Sequence, residues 1–146
     1  MIFLDTGFIF ALACRHDASH QRVRVVMEAY AERDLASLLL TTNHVVEETI
    51  TLLRSRGHHD VSSAHDLAMR IGQRLFAGEL ARVHQASADE ERVAFAYMGR
   101  YRDKRYSLTD CLSFVIMDAY GITEALSVDE DFTHRFTARP GPPSKK

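Results

Sequence analysis

Five carboxylates in this chain stand at the edges of apolar runs, where an acid is out of place unless it has work to do. Asp5 follows the run IFL, and Glu48 lies about one turn into NHVVEETITLLRSR. Asp110 opens LTDCLSFVIM, while Asp129 and Asp131 follow ALSV. Carboxylates that are distant in sequence but meet in space repel each other, and some would protonate without a cation between them. An all-oxygen cluster suits hard divalent ions such as Mg²⁺ or Mn²⁺. The common chemistry of such a cluster is phosphodiester hydrolysis: one ion acidifies an attacking water, and a second, roughly 4 Å away, can stabilise the leaving oxygen.

Whether the acids meet depends on the elements that carry them. The apolar run at 2–4 reads as a buried strand, and helical stretches start at 8 and at 20. A second strand is expected over 35–42. A helix follows over 43–56, with Asn43 as its cap and Gly57 as its stop. A helix ending near Gly78, a strand over 80–86, helices over 87–102 and 106–122, and a strand over 125–129 complete the pattern. Strands alternating with helices imply an α/β layer around a largely parallel sheet. Ligands of such sheets gather outside the carboxyl ends of the strands. Asp5 and Asp129 directly follow strands, and a helix feeding a parallel strand must begin at the same edge, which brings in Asp110. Asp5, Glu48, Asp110 and Asp129 are therefore expected to converge within metal-bridging reach. The closing ARPGPPSKK, rich in Pro and Gly, reads as disordered, giving one domain over 1–136 and a tail over 137–146.

Each acid also has a plainer reading. SLTD at 107–110 fits a capping box, with Ser107 as the cap and Asp110 reaching back. Asp5 could satisfy a turn, Glu47 or Glu48 could be solvated, and Asp129 and Asp131 could cap a short helix. The bulk numbers exclude little. With 146 residues, 46% apolar and 26% charged, the chain is an ordinary single domain. A net charge of −2 gives no global attraction for nucleic acid, so any such binding must be local. Cys14 and Cys111 have neither zinc nor CxxC spacing and read as reduced thiols of a cytoplasmic protein. No apolar run approaches the roughly 20 residues that span a membrane.

The stretches FLDTGFIFAL, LLTTNHVVEETITLLRSR, YSLTDCLSFVIM and ALSVDEDF, taken in order, resemble the PIN-domain ribonucleases, most closely the VapC-type toxins of toxin–antitoxin pairs. The resemblance covers residues 3–132. It implies a three-layer fold with a small, mainly parallel central sheet flanked by helices. It also implies that Asp5, Glu48, Asp110 and Asp129 are catalytic. Metal would be held by Asp5, Asp110, Asp129 and Asp131, with Thr6 and Thr109 in support. Implied further are Mg²⁺- or Mn²⁺-dependent cleavage of RNA and a small cognate antitoxin.

GRYRDKRYS, just before Asp110, carries Arg100, Arg102, Lys104 and Arg105 as candidate RNA contacts, with Tyr101 and Tyr106 interleaved as rings that could stack on bases. Apolar side chains of the first two helices and of the stretch 61–77 exceed what one small core would cover, so a homodimer bound by an antitoxin helix is expected. Rival readings are weaker. DTG at 5–7 matches the aspartic-protease signature, but that chemistry needs an all-β fold. A phosphoacceptor receiver domain would want paired acids after the first strand and a late lysine. A non-catalytic acidic interaction module would bind partner arginines without turnover.

Overall fold

The computed structural model describes residues 1–144. In chain order the elements are β1 (Ile2–Leu4), α1 (Thr6–Ala13), α2 (His20–Glu28), α3 (Leu35–Leu38), β2 (Leu39–Thr42), α4 (Asn43–Arg56) and α5 (Val61–Phe76). Then come β3 (Arg82–His84), α6 (Ala88–Arg100), α7 (Leu108–Tyr120), β4 (Glu124–Ser127), α8 (Glu130–Thr133) and β5 (Thr137–Pro140). The strands form one parallel sheet in the order β3-β2-β1-β4-β5, as the alternation of strands and helices implied. From β1 the chain steps outward through β2 to β3, then crosses back to lay β4 on the other side of β1. The strand order thus reverses beside β1, at the place where parallel sheets open a crevice for ligands.

Burial explains why the strands read as apolar runs. Phe3, Leu39, Leu40 and Leu126 are fully buried in the sheet, and Phe8, Phe114, Ile116 and Met117 pack over it. Phe132 of α8 stacks on Phe3 and meets Phe114 edge-on at 5.1 Å, so the segment after β4 is anchored in the core. α7 begins with the expected capping box, Ser107 and Asp110 bonding each other's backbone N–H, and ends at Gly121 in the left-handed conformation that glycine tolerates. Among the described residues no helix is long and apolar enough to cross a membrane.

Three local expectations change. Leu35–Leu38 forms a helical turn ahead of β2, so the second strand is shorter than the run 35–42. Thr42, not Asn43, caps α4 by accepting from the Val45 N–H, while Asn43 accepts from the Ala86 N–H and ties α4 to the exit of β3. The tail expected to be disordered from residue 137 instead contributes β5, paired along its length with β4. Proline is tolerated there because β5 is an edge strand. The Arg22 guanidinium then donates to the carbonyls of Pro140, Gly141 and Pro142 at 3.0, 3.0 and 3.2 Å. The last part of that expected tail, Lys145 and Lys146, lies outside the described residues.

Candidate active site

Asp5 leaves β1 with its N–H bonded to the Leu126 carbonyl at 3.1 Å, so the backbone ladder itself holds it against β4. It caps α1: its Oδ2 accepts from the Gly7 N–H, and also from the Ser127 hydroxyl at 2.8 Å. Ser127 Oγ in turn accepts from the Asp129 N–H at 3.0 Å, so one buried hydroxyl ties the exits of β1 and β4 together. Across the crevice, Thr6 Oγ1 donates to Glu48 Oε2 at 2.8 Å. This contact settles which glutamate faces inward, since Glu47 is exposed. Asp110 reaches the same place from the first turn of α7.

Asp5, Glu48, Asp110 and Asp129 all line one cavity of about 620 Å³, together with Thr6, Gly7 and Ser107. The convergence is looser than expected: among the described residues no three Asp, Glu, His or Cys side chains are gathered closely enough to hold a metal ion. Hydrogen-bond donors already engage these carboxylates: Asp110 and Asp129 accept from the backbone of their own loops, while Asp5 and Glu48 accept from the Ser127 and Thr6 hydroxyls. Capping and ligation do not exclude each other. A carboxylate has two oxygens and about four lone-pair sites, so the bond from Ser107 to Asp110 leaves accepting capacity.

The electrostatics favour a cation. Asp5 is pushed up to about 7, chiefly by burial, with the Ser127 hydroxyl opposing and the charges of Asp110 and Asp129 adding to the rise. Asp110 is pushed up to about 6, again chiefly by burial, with the bonds from Ser107 opposing and Asp129 and Glu48 adding. Such groups stay ionised more readily once a positive charge joins them. The donor set is oxygen only, as hard divalent ions prefer.

Other singled-out residues fall outside the cavity. Asp131 is raised by burial and by Asp129, and lies 3.9 Å from His134; Glu130, which the sequence reading passed over, lines the cavity in its place. Thr109 accepts from Ser113 Oγ through its carbonyl and does not reach the cavity wall. Arg100, Arg102, Lys104 and Arg105 are exposed on the approach to α7. Tyr101 is exposed beside them, but Tyr106 is not available for stacking on a base. It is buried against Phe114 and its hydroxyl meets His134 Nδ1 at 3.0 Å, so the alternation of rings and cations conceals a core residue. Ser127, Pro142 and Pro143 were also missed. Only Ser127 left a signal, as a hydroxyl within an apolar strand.

Residues 2–135 match the family model of the PIN domain. The chain belongs to the PIN-domain family, and within it to the VapC-type endoribonuclease toxins. It is 35% identical over 136 residues to the "23S rRNA-specific endonuclease VapC20" of two Mycobacterium tuberculosis strains, CDC 1551 and H37Rv, covering 91% of this chain and 92% of each relative. The crystal structure of M. tuberculosis VapC20, titled a sarcin–ricin loop cleaving toxin, is similar with a TM-score of 0.77 and 30% sequence identity, covering 92% of this chain and 94% of that one. Nucleases of this family generally use a divalent metal.

Proposed function

We propose that the chain is a Mg²⁺- or Mn²⁺-dependent endoribonuclease that cuts 23S rRNA in the sarcin–ricin loop, using Asp5, Glu48, Asp110 and Asp129. The observation that carries this reading is the pair of carboxylates, buried Asp5 and half-buried Asp110, that line one cavity from separate elements, both with raised pKa. The likeness to VapC20 over nearly the whole chain supports the substrate. Asp5, Asp110 and Asp129 would hold the cation, with Asp131, as the family resemblance implies, a further ligand. Bound there, the ion would supply charge neutralisation and a more acidic water. Ser127 holds Asp5, Ser107 holds Asp110, and Thr6 donates to Glu48, which would accept a proton from an attacking water. Gly7 keeps the mouth open: a Cβ there would lie 3.0 Å from Val128 and 3.5 Å from Asp5 Oδ2. Arg100, Arg102, Lys104 and Arg105 would meet RNA phosphates beside Asp110, and Thr109 would support that loop. The test is end-mapping of 23S rRNA after incubation of ribosomes with the purified protein in Mg²⁺, in Mn²⁺ or in excess chelator. Cuts confined to the sarcin–ricin loop and lost with chelator are expected. Cuts only elsewhere would reassign the substrate, and undiminished cutting in chelator would remove the metal.

The same reading includes a cytoplasmic location, a cognate antitoxin and a homodimer. Two free, buried cysteines agree with a reducing compartment. Of the apolar side chains expected to form a groove, Phe8, Val23 and Leu75 belong to the core. Leu12, Met27 and Tyr30, with Leu35, line a separate hollow of about 320 Å³ rimmed by Arg24 and Arg33, which suits an amphipathic helix. Val93 and Phe95, exposed on α6, are available to a second copy. An antitoxin arginine would fit the acidic cavity, where its fork can bond two carboxylate oxygens. Light scattering should give a dimer for the toxin alone, and an antitoxin stripped of basic residues should bind without inhibiting. Full inhibition by that antitoxin would favour blockade of the RNA path over a charge plug.

A further inference from the structure

The acidic cavity has a cationic counterpart at the far end of the same two helices. α1 and α4 lie side by side: Thr6, at the start of α1, bonds Glu48, and Cys14, just past its end, donates its thiol to the Gly57 carbonyl at 3.6 Å. Thr6 and Gly7 line the acidic cavity. Ala13 and Cys14, one heptad later and so on the same side of α1, line a second cavity of about 520 Å³. Its remaining wall includes Arg15, His16, His58 and three residues from one face of α5: Ser63, Asp66 and Arg70.

Two guanidinium groups in this wall lack an acid. Among the described residues neither Arg15 nor Arg70 forms an ion pair, even with Asp66 in the same wall, a state they share with several other arginines of the chain but here combined with a common hollow. His58 accepts from the Asp60 N–H through Nδ1 at 3.0 Å, which leaves its ring proton on Nε2 as a further donor. Cys14 is not the chemistry here: burial pushes its thiol up to about 11, so it stays protonated and unreactive. A hollow rich in donors with two unpaired arginines suits a phosphate group, which the guanidinium fork can bond at two oxygens.

We propose that this cavity grips a backbone phosphate of the RNA, a few nucleotides from the bond cut in the acidic cleft. The proposal rests on reading that cleft as the nuclease site. The eight residues of α1 span about 12 Å, so one RNA strand laid along the α1–α4 seam meets both ends. The reversal of charge along the seam gives the strand a register. A strand that slips takes one phosphate out of the arginines as it takes another away from the carboxylates. An acidic segment of the antitoxin is the competing occupant.

The experiment compares Arg15→Gln, Arg70→Gln and the double variant with the native protein. The readouts are steady-state cleavage of a sarcin–ricin loop hairpin and fluorescence anisotropy of the same RNA across a salt series. With no ion pair to lose, the variants keep the native melting temperature. Each substitution raises KM roughly tenfold and leaves kcat within about twofold. The slope of log affinity against log salt falls by about 0.7 per arginine. Native KM and native salt slope in the double variant overturn the proposal. So does weakened antitoxin binding with RNA affinity intact, which would hand the pocket to the protein partner. If the native protein fails to cut the hairpin, the reading of the cleft is what fails, and the salt slope of binding still decides the arginines.

Discussion

Asp110→Asn yields a folded protein whose RNA cleavage falls by roughly 10³-fold, the scale of a lost metal ligand or charged transition-state contact. The amide keeps the shape of the side chain and an oxygen that can accept from the Ser107 N–H, so the capping box survives. What disappears is the negative charge facing Asp129 and Glu48 across the cavity. Asp110→Ala removes both and adds a capping loss of about 1 kcal/mol to the loss of activity. Single-turnover cleavage and thermal melting, run on both variants, separate the two roles. An Asn variant with native turnover would leave Asp110 as a helix cap and nothing more.

Asp5→Asn should make the metal-free protein more stable at pH 8, by on the order of 2 kcal/mol. In the unfolded chain this carboxyl releases its proton near its ordinary value of 3.8, but in the fold it holds the proton up to about 7. Between those values the native state binds more protons than the unfolded state. Asp5 therefore favours folding at low pH, loses that contribution as pH rises from about 4 to 7, and above that leaves a buried charge as a full penalty. Asparagine carries no such charge and can still cap α1. In chelator the variant's advantage should be largest at pH 8 and fade towards pH 4, as read from denaturant midpoints. Added Mg²⁺ should raise the native midpoint at pH 8 and move the variant much less. An Asn variant less stable than the native protein at pH 8 in chelator would show that Asp5 carries no buried-charge penalty.

The parts of this protein that were legible in its sequence are those set by short-range rules. Asp5 at the exit of an apolar run, the Ser107–Asp110 box and the Gly57 stop after α4 each follow from a few neighbouring residues. The parallel sheet followed from alternation, and the gathering of Asp5, Glu48, Asp110 and Asp129 around one cavity followed from the sheet. What was hidden depends on partners far along the chain. The β5 strand exists because β4 offers it an open edge and Arg22 binds its carbonyls, and neither fact is visible in ARPG. Tyr106 sits among cations in sequence but among aromatic rings in space. Ser127 is one hydroxyl in an apolar strand, with nothing beside it in sequence to mark it as the group that joins Asp5 to the Asp129 loop. The Leu35–Leu38 turn was unreadable because a short apolar run has no period long enough to separate helix from strand.

The central position of β1 has a consequence for how the molecule comes into being on a ribosome. Translation makes Asp5 well before its supports: β4, which pairs with β1, and the Ser127 hydroxyl arrive more than a hundred codons later, Ser127 lying 122 residues further along. Until then the first strand has an open side, its acid has no Ser127 to hold it, and Asp129 has not been made. Pairing over such a sequence distance is also slow to form. A chain made only as far as α7 therefore holds Asp5, Glu48 and Asp110 but neither Ser127 nor Asp129, and its acidic cavity stays incomplete until β4 and the loop after it are added.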